Sequence, residues 1–142
     1  MDLKYVDYFR NKYFHYDEYD AEIIQYFEEY SNIEINSICT LGCGTGRNEL
    51  RFTKLGYEVT GIERNKESFP ILKKLFEYEH ERLFNLVEAD FMNKEYLYTI
   101  FKNKKFDCIM LLSVPLSIDD VKRVVKIFEP LLNCTGQQKL DT

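Results

Sequence analysis

Ile38-Cys39-Thr40-Leu41-Gly42-Cys43-Gly44-Thr45-Gly46-Arg47-Asn48 is the stretch that decides the fold: a short apolar run, three glycines spaced two apart, then helix-forming sequence. It reads as strand, tight loop and helix. A backbone that turns sharply at a strand end needs positive φ, and it must admit a ligand where a Cβ would stand in the way. The helix opening near Arg47 adds free N–H groups and the positive end of a dipole, which favours a polar or anionic ligand group. The spacing also excludes something. A dinucleotide fingerprint, G-x-G-x-x-G, would need glycine where Arg47 stands, and the third glycine falls at Gly46 instead.

Working outward, the same alternation recurs. The segment from about 36 to 41 is the first strand, and the helix after the loop runs to Leu55, with Gly56 placed as its stop. Tyr57 to Ile62 is a second strand ending at Glu63. Asn65 to Ser68 offer caps for a helix that tolerates Pro70 only in its first turn and buries Ile71, Leu72, Leu75 and Phe76. Phe84 to Ala89 is a third strand ending at Asp90, and a short helix over about 94–103 follows. Phe106 to Leu112 is a fourth strand, apolar enough to be buried on both faces. Ser117 and Asp120 read as a capping pair for a helix with Val121, Val124, Val125, Phe128, Leu131 and Leu132 inward. Upstream, Ile23, Ile24, Phe27 and Tyr30 recur at helical spacing after a possible Asp20 cap. Strands alternating with helices imply a parallel sheet wound by right-handed crossovers, with ligands bound beyond the strands' carboxyl ends.

Composition narrows the function classes. The chain has 142 residues, 45 % of them hydrophobic, the size and apolar content of a single domain. A formal charge of −5 argues against a broad phosphate-binding face and so against nucleic acid. The Lys102, Lys104 and Lys105 cluster reads as a solvated helix end. No stretch approaches the roughly 20 apolar residues of a membrane helix, and the acidic, tyrosine-rich start is unlike a signal peptide; a cytoplasmic protein without membrane association is expected. Cys39, Cys43, Cys108 and Cys134 lack paired C-x-x-C spacing, and two of them sit in apolar runs, so reduced core thiols are expected rather than disulfides or zinc. His15 and His80 belong to no metal-ligating pattern.

Gly42, Gly44 and Gly46, with Leu41 before them and Thr45 among them, resemble motif I of the class I S-adenosylmethionine-dependent methyltransferases. Glu63, 21 positions after Gly42 at a strand end, fits an acceptor for both hydroxyls of a ribose. The resemblance implies more. The fold would be α/β, a Rossmann-like parallel sheet with helices on both faces and four strands in the order 3-2-1-4. Residues 1–35 would form a helical lid and residues 36–135 the core of a single cofactor-binding domain. Thr40, Cys43 and Arg64 would border the cofactor beside the glycines and Glu63. Asp90 and Phe91 would hold the adenine, Ser113 would stand in the loop beside the methionine part and the acceptor, and Tyr16 or Tyr19 would lid the cofactor. No residue presents itself as a general base.

Two features depart from that family. Many members carry an acidic residue two positions before the first glycine, and here Thr40 brings a hydroxyl without charge. The family sheet has seven strands, whereas this sequence offers four, which implies a hydrophobic edge at the fourth strand covered by a homodimer or a partner, or a truncated product. The implied activity is methyl transfer from S-adenosylmethionine to a small-molecule O, N or C nucleophile. A cofactor-binding module without catalysis is the alternative from another class, and a nicotinamide-dependent reductase is the third.

Overall fold

The computed structural model describes residues 29, 34–44, 46–78, 82–111 and 116–133. Four strands and four helices alternate over them: β1 (Ser37–Leu41), α1 (Arg47–Lys54), β2 (Glu58–Glu63), α2 (Ser68–Tyr78), β3 (Phe84–Glu88), α3 (Lys94–Phe101), β4 (Cys108–Met110) and α4 (Ile118–Phe128). The strands form one parallel sheet in the order β3-β2-β1-β4, the order the resemblance implies. The N-terminal helix expected over residues 23–30 lies outside the described residues apart from helical Glu29.

β1 is buried along its whole length because both of its faces are covered. On one face Ile38, Val59 and Met110 pack on Phe52 of α1, and Leu50 of α1 joins Leu72, Leu75 and Phe76 of α2. On the other, Cys39, Leu41 and Ile62 meet Leu97 and Phe101 of α3 and Val124, Ile127 and Phe128 of α4. Two ring pairs fix these layers: Phe76 stacks on Phe84 at 3.9 Å, and Phe101 meets Phe106 edge-on at 5.2 Å. Ser117 caps α4, its hydroxyl accepting from the Asp120 N–H at 3.1 Å, as the sequence predicts.

Three expectations change. β4 is three residues long, with the expected end at Leu112 outside the described residues, and Phe106 pairs outward: it bridges Leu132 in parallel, donating to the Leu131 carbonyl and accepting from the Asn133 N–H. The start of the β4 edge is therefore covered by the chain's own return after α4. Cys108 and Ile109 of β4 are only partly buried, so burial of that strand on both faces is incomplete. The inward face of α4 is rotated, with Val121 41 % and Val125 55 % exposed while Ile127 is buried. A helix has room for one stripe against the sheet, and apolar residues at 118, 121 and 125 fall outside it. No helix among the described residues is long and apolar enough to cross a membrane.

Candidate functional site

The carboxyl ends of β1, β2 and β3 bring the glycine loop, Glu63, Arg64, Asp90 and Phe91 to one rim of the sheet. Gly42, Gly44 and Gly46 all have positive φ, at 72°, 55° and 78°. Gly44 and Gly46 differ sharply in the room they leave for a Cβ. A Cβ on Gly44 would meet nothing within 4 Å, so the backbone there lies open to a ligand. A Cβ on Gly46 would stand 2.5 Å from Leu72 Cδ2 and 3.1 Å from Phe76 Cε2. Gly46 thus lets α2 close over the start of α1.

The described loop N–H groups are engaged within the chain. Those of Gly42 and Cys43 donate to the Ile62 carbonyl at 2.7 and 3.2 Å, and that of Gly46 donates to the Cys43 carbonyl at 3.0 Å. The Gly44 N–H donates to Glu63 Oε1 at 2.8 Å, and Glu63 Oε2 accepts from the Asn65 N–H at 2.9 Å. Glu63 therefore ties the glycine loop to the end of β2. A carboxylate has about four lone-pair sites, so one remains on each oxygen. These contacts leave little for a pyrophosphate at Gly42, Cys43, Gly44 or Gly46, and they place a negative charge against the loop.

Asp90 combines two jobs. Its Oδ1 accepts from the Met92 N–H at 2.9 Å, the local turn that leads into α3, while Oδ2 lies 3.9 Å from Arg64 Nη1. That ion pair is largely exposed and bridges the loops after β2 and β3, worth only about 0–1 kcal/mol. Phe91 packs partly buried against the α3–α4 core. Ser113, Tyr16 and Tyr19 lie outside the described residues.

Behind the loop, Thr40 is 2 % exposed and its hydroxyl has no hydrogen-bond partner among the described residues. Burial pushes the thiols of Cys39 and Cys43 far up, with smaller contributions from Cys108 and Glu49 at Cys39 and from Glu49 and Glu63 at Cys43. Cys108 is raised to about 11, again mainly by burial and then by Asp107. Such protonated thiols are packing groups, not nucleophiles. Sequence reasoning missed Glu49: it is 2 % exposed in the first turn of α1, where a charged residue reads as solvent-facing.

A cleft of about 370 Å³ lies elsewhere, between α2 and the outer strand β3, lined by residues that include Leu72, Phe76, Phe84 and Asn85. It shares no residue with the rim just described.

The sequence matches the family described as tellurite resistance protein TehB over residues 1–139. The chain belongs to the TehB family. A probable S-adenosyl-L-methionine-dependent methyltransferase TehB from Haemophilus influenzae is 30 % identical over an alignment covering 81 % of this chain and 47 % of that protein. The chain therefore spans about half the length of this TehB relative. The crystal structure of TehB from Haemophilus influenzae superposes with a TM-score of 0.66 at 25 % identity, covering 92 % of this chain and 42 % of that one. A glycopeptide N-methyltransferase, MtfA, shares the fold at a TM-score of 0.62 and 19 % identity, covering 79 % of this chain and 52 % of its own.

Proposed function

We propose that this chain binds S-adenosylmethionine at the glycine-loop rim and takes part in methyl transfer to a small-molecule acceptor. The observation that carries the reading is the Glu63–Gly44 tie. It spends the mid-loop N–H on a carboxylate and leaves acceptor lone pairs facing an open backbone, which suits ribose hydroxyls and a cationic cofactor better than a pyrophosphate. Similarity to a probable S-adenosyl-L-methionine-dependent methyltransferase TehB supports the same cofactor.

In this reading Gly44 lets the cofactor approach the backbone, Gly42 shapes the turn and Gly46 seats the helix behind it. Glu63 accepts from the ribose hydroxyls. Asp90 accepts from the adenine amine with its remaining lone pairs, and Phe91 and Arg64 border the base. Cys43 and Thr40 line the inner side, and Ser113, Tyr16 and Tyr19 close over the amino-acid end and the acceptor. S-adenosylmethionine supplies an already activated methyl on its sulfonium. The chain's own work is to align donor and acceptor, which needs no dedicated base. Residues 1–142 form one domain with a lid over 1–35 and a core over 36–135, working in the cytoplasm as a homodimer joined along β4.

Binding without transfer is the second reading, favoured by the uncharged Thr40 two positions before the first glycine. Calorimetry with S-adenosylhomocysteine, followed by methyl-transfer assays from labelled S-adenosylmethionine to mixed small nucleophiles, separates the two. Binding with transfer supports the first and binding alone the second. Tighter binding of NAD than of S-adenosylhomocysteine would overturn both.

A further inference from the structure

β3 ends the sheet, pairing with β2 on one side only, so its other edge is uncovered among the described residues. Phe84 and Leu86, two residues apart on that strand, point to one face, and there they pack against the α2 cluster. Both are only partly buried, and the cleft of about 370 Å³ opens between them and Leu72 and Phe76 of α2. Pockets of that size hold small molecules. The walls are apolar and flat: Phe76 and Phe84 stack at 3.9 Å with their planes 13° apart, and Leu72 and Leu86 stand beside them. A planar ring gains most from such a surface, through offset or edge-on contact with the two phenyl groups.

The mouth carries three exposed polar side chains, Lys73, Glu77 and Asn85. Their charges are not balanced alike. Glu77 Oε2 lies 3.5 Å from the ammonium of Lys74, and Glu88, further along β3, faces Lys66 at 3.8 Å. Lys73 has no ion-pair partner among the described residues. The cleft is thus an apolar slot with one uncompensated cation and one amide at its entrance. We propose that it is a second ligand site, separate from the glycine-loop rim, for a small aromatic monocarboxylate. The ring lies against Phe76, Phe84 and Leu86, and the carboxylate accepts from Lys73 and from the Asn85 amide. One flexible ammonium suits a single negative charge, whereas a phosphate calls for several donors or a bidentate guanidinium. The walls of the cleft also back the glycine loop. A Cβ on Gly46 would meet Leu72 and Phe76, and one on Gly61 would meet Phe84 and Cys43 Sγ. An occupant therefore acts on that loop from behind.

The test is a protein-observed NMR titration of the full chain with 2-naphthoate and with its neutral counterpart, 2-naphthamide. A ligand of about a dozen non-hydrogen atoms should bind with a Kd of about 1 mM or tighter. Naphthoate should bind about threefold tighter than the amide, the size of an exposed charge pair. The shifts should centre on Leu72, Phe76 and Leu86 and extend to the Gly46 N–H, and saturating S-adenosylhomocysteine should leave the naphthoate bound. Lys73→Glu, at an exposed position, should weaken naphthoate about tenfold and leave the amide within about twofold, reversing the preference. The titration needs no cofactor, so its outcome is distinct from that of the S-adenosylmethionine reading. Failure of naphthoate to bind, equal affinity for the two ligands, an unchanged preference in Lys73→Glu or displacement by S-adenosylhomocysteine would each overturn the proposal. So would a dimer in sedimentation velocity that Lys73→Glu dissociates, which would give the cleft to a second copy of the chain.

Discussion

Gly46 and Gly44 lie two residues apart in one loop, and replacing each by alanine should injure the protein in different ways. At Gly46 the new Cβ would lie 2.5 Å from Leu72 Cδ2 and 3.1 Å from Phe76 Cε2, and these two well-buried side chains must shift to admit it. Overpacking of that kind costs about 1–3 kcal/mol, and an alanine held at φ 78° adds about 1 kcal/mol of backbone strain. Gly46→Ala should therefore lose about 2–4 kcal/mol of stability. For a chain of this length, with an unfolding entropy near 0.3 kcal/mol/K, this lowers Tm by about 7–13 °C. Gly44→Ala bears only the backbone strain, since nothing lies within 4 Å of its Cβ, so its Tm should fall by only about 3 °C. The same methyl group enters the open space where the proposed function seats the cofactor, and affinity for S-adenosylhomocysteine should drop at least about tenfold. Thermal unfolding followed by circular dichroism gives the first pair of values and calorimetry the second. A Gly46→Ala variant as stable as Gly44→Ala, or a Gly44→Ala variant that binds like the parent, would refute the division of labour within the loop.

Glu63→Gln keeps one acceptor oxygen but turns the other into a donor facing an N–H, so it should cost about 1 kcal/mol of stability and weaken S-adenosylhomocysteine by about 1–3 kcal/mol, read by calorimetry. At Asp107 burial pushes the carboxyl up, but hydrogen bonds from Asn133, the Asn36 and Ser37 N–H groups and the Ser37 side chain together outweigh it and hold the carboxyl below its ordinary 3.8. A depressed carboxyl stabilises the fold above its unfolded pKa and loses that contribution as pH falls through the folded value. Asp107→Asn should thus be less stable than the parent in urea at pH 7 and close to it near pH 2; an equal deficit at both would remove the charge from the explanation. On α4, Val121→Lys and Val125→Lys should change stability by less than about 0.5 kcal/mol, whereas Val124→Ala, at a buried position, should cost about 1–3 kcal/mol by chemical denaturation.

What the sequence disclosed was whatever is local. The glycine spacing, the alternating strands, the Ser117 cap and the acidic residue that ends β2 each depend on neighbours within a few positions, and each was legible for that reason. The reading stopped where a second element decides. Three glycines spaced two apart announce a turn, but only α2, arriving some 25 residues later, makes Gly46 a packing residue and leaves Gly44 as the open one. Six apolar residues on α4 offer more than one possible face, and the sheet selects the one through Val124 and Phe128. Glu49 reads as a solvated residue of an amphipathic helix until the strand beneath it is known. The electrostatics of the glycine loop was the most consequential of these. A helix start after a glycine loop suggests an anion, yet Glu63 occupies the Gly44 N–H and Glu49 is buried behind the same loop. A carboxylate at hydrogen-bonding distance counters that preference, because its full charge outweighs a helix end carrying about half of one. Which loop N–H groups stay free is therefore set by tertiary contacts that glycine spacing cannot express.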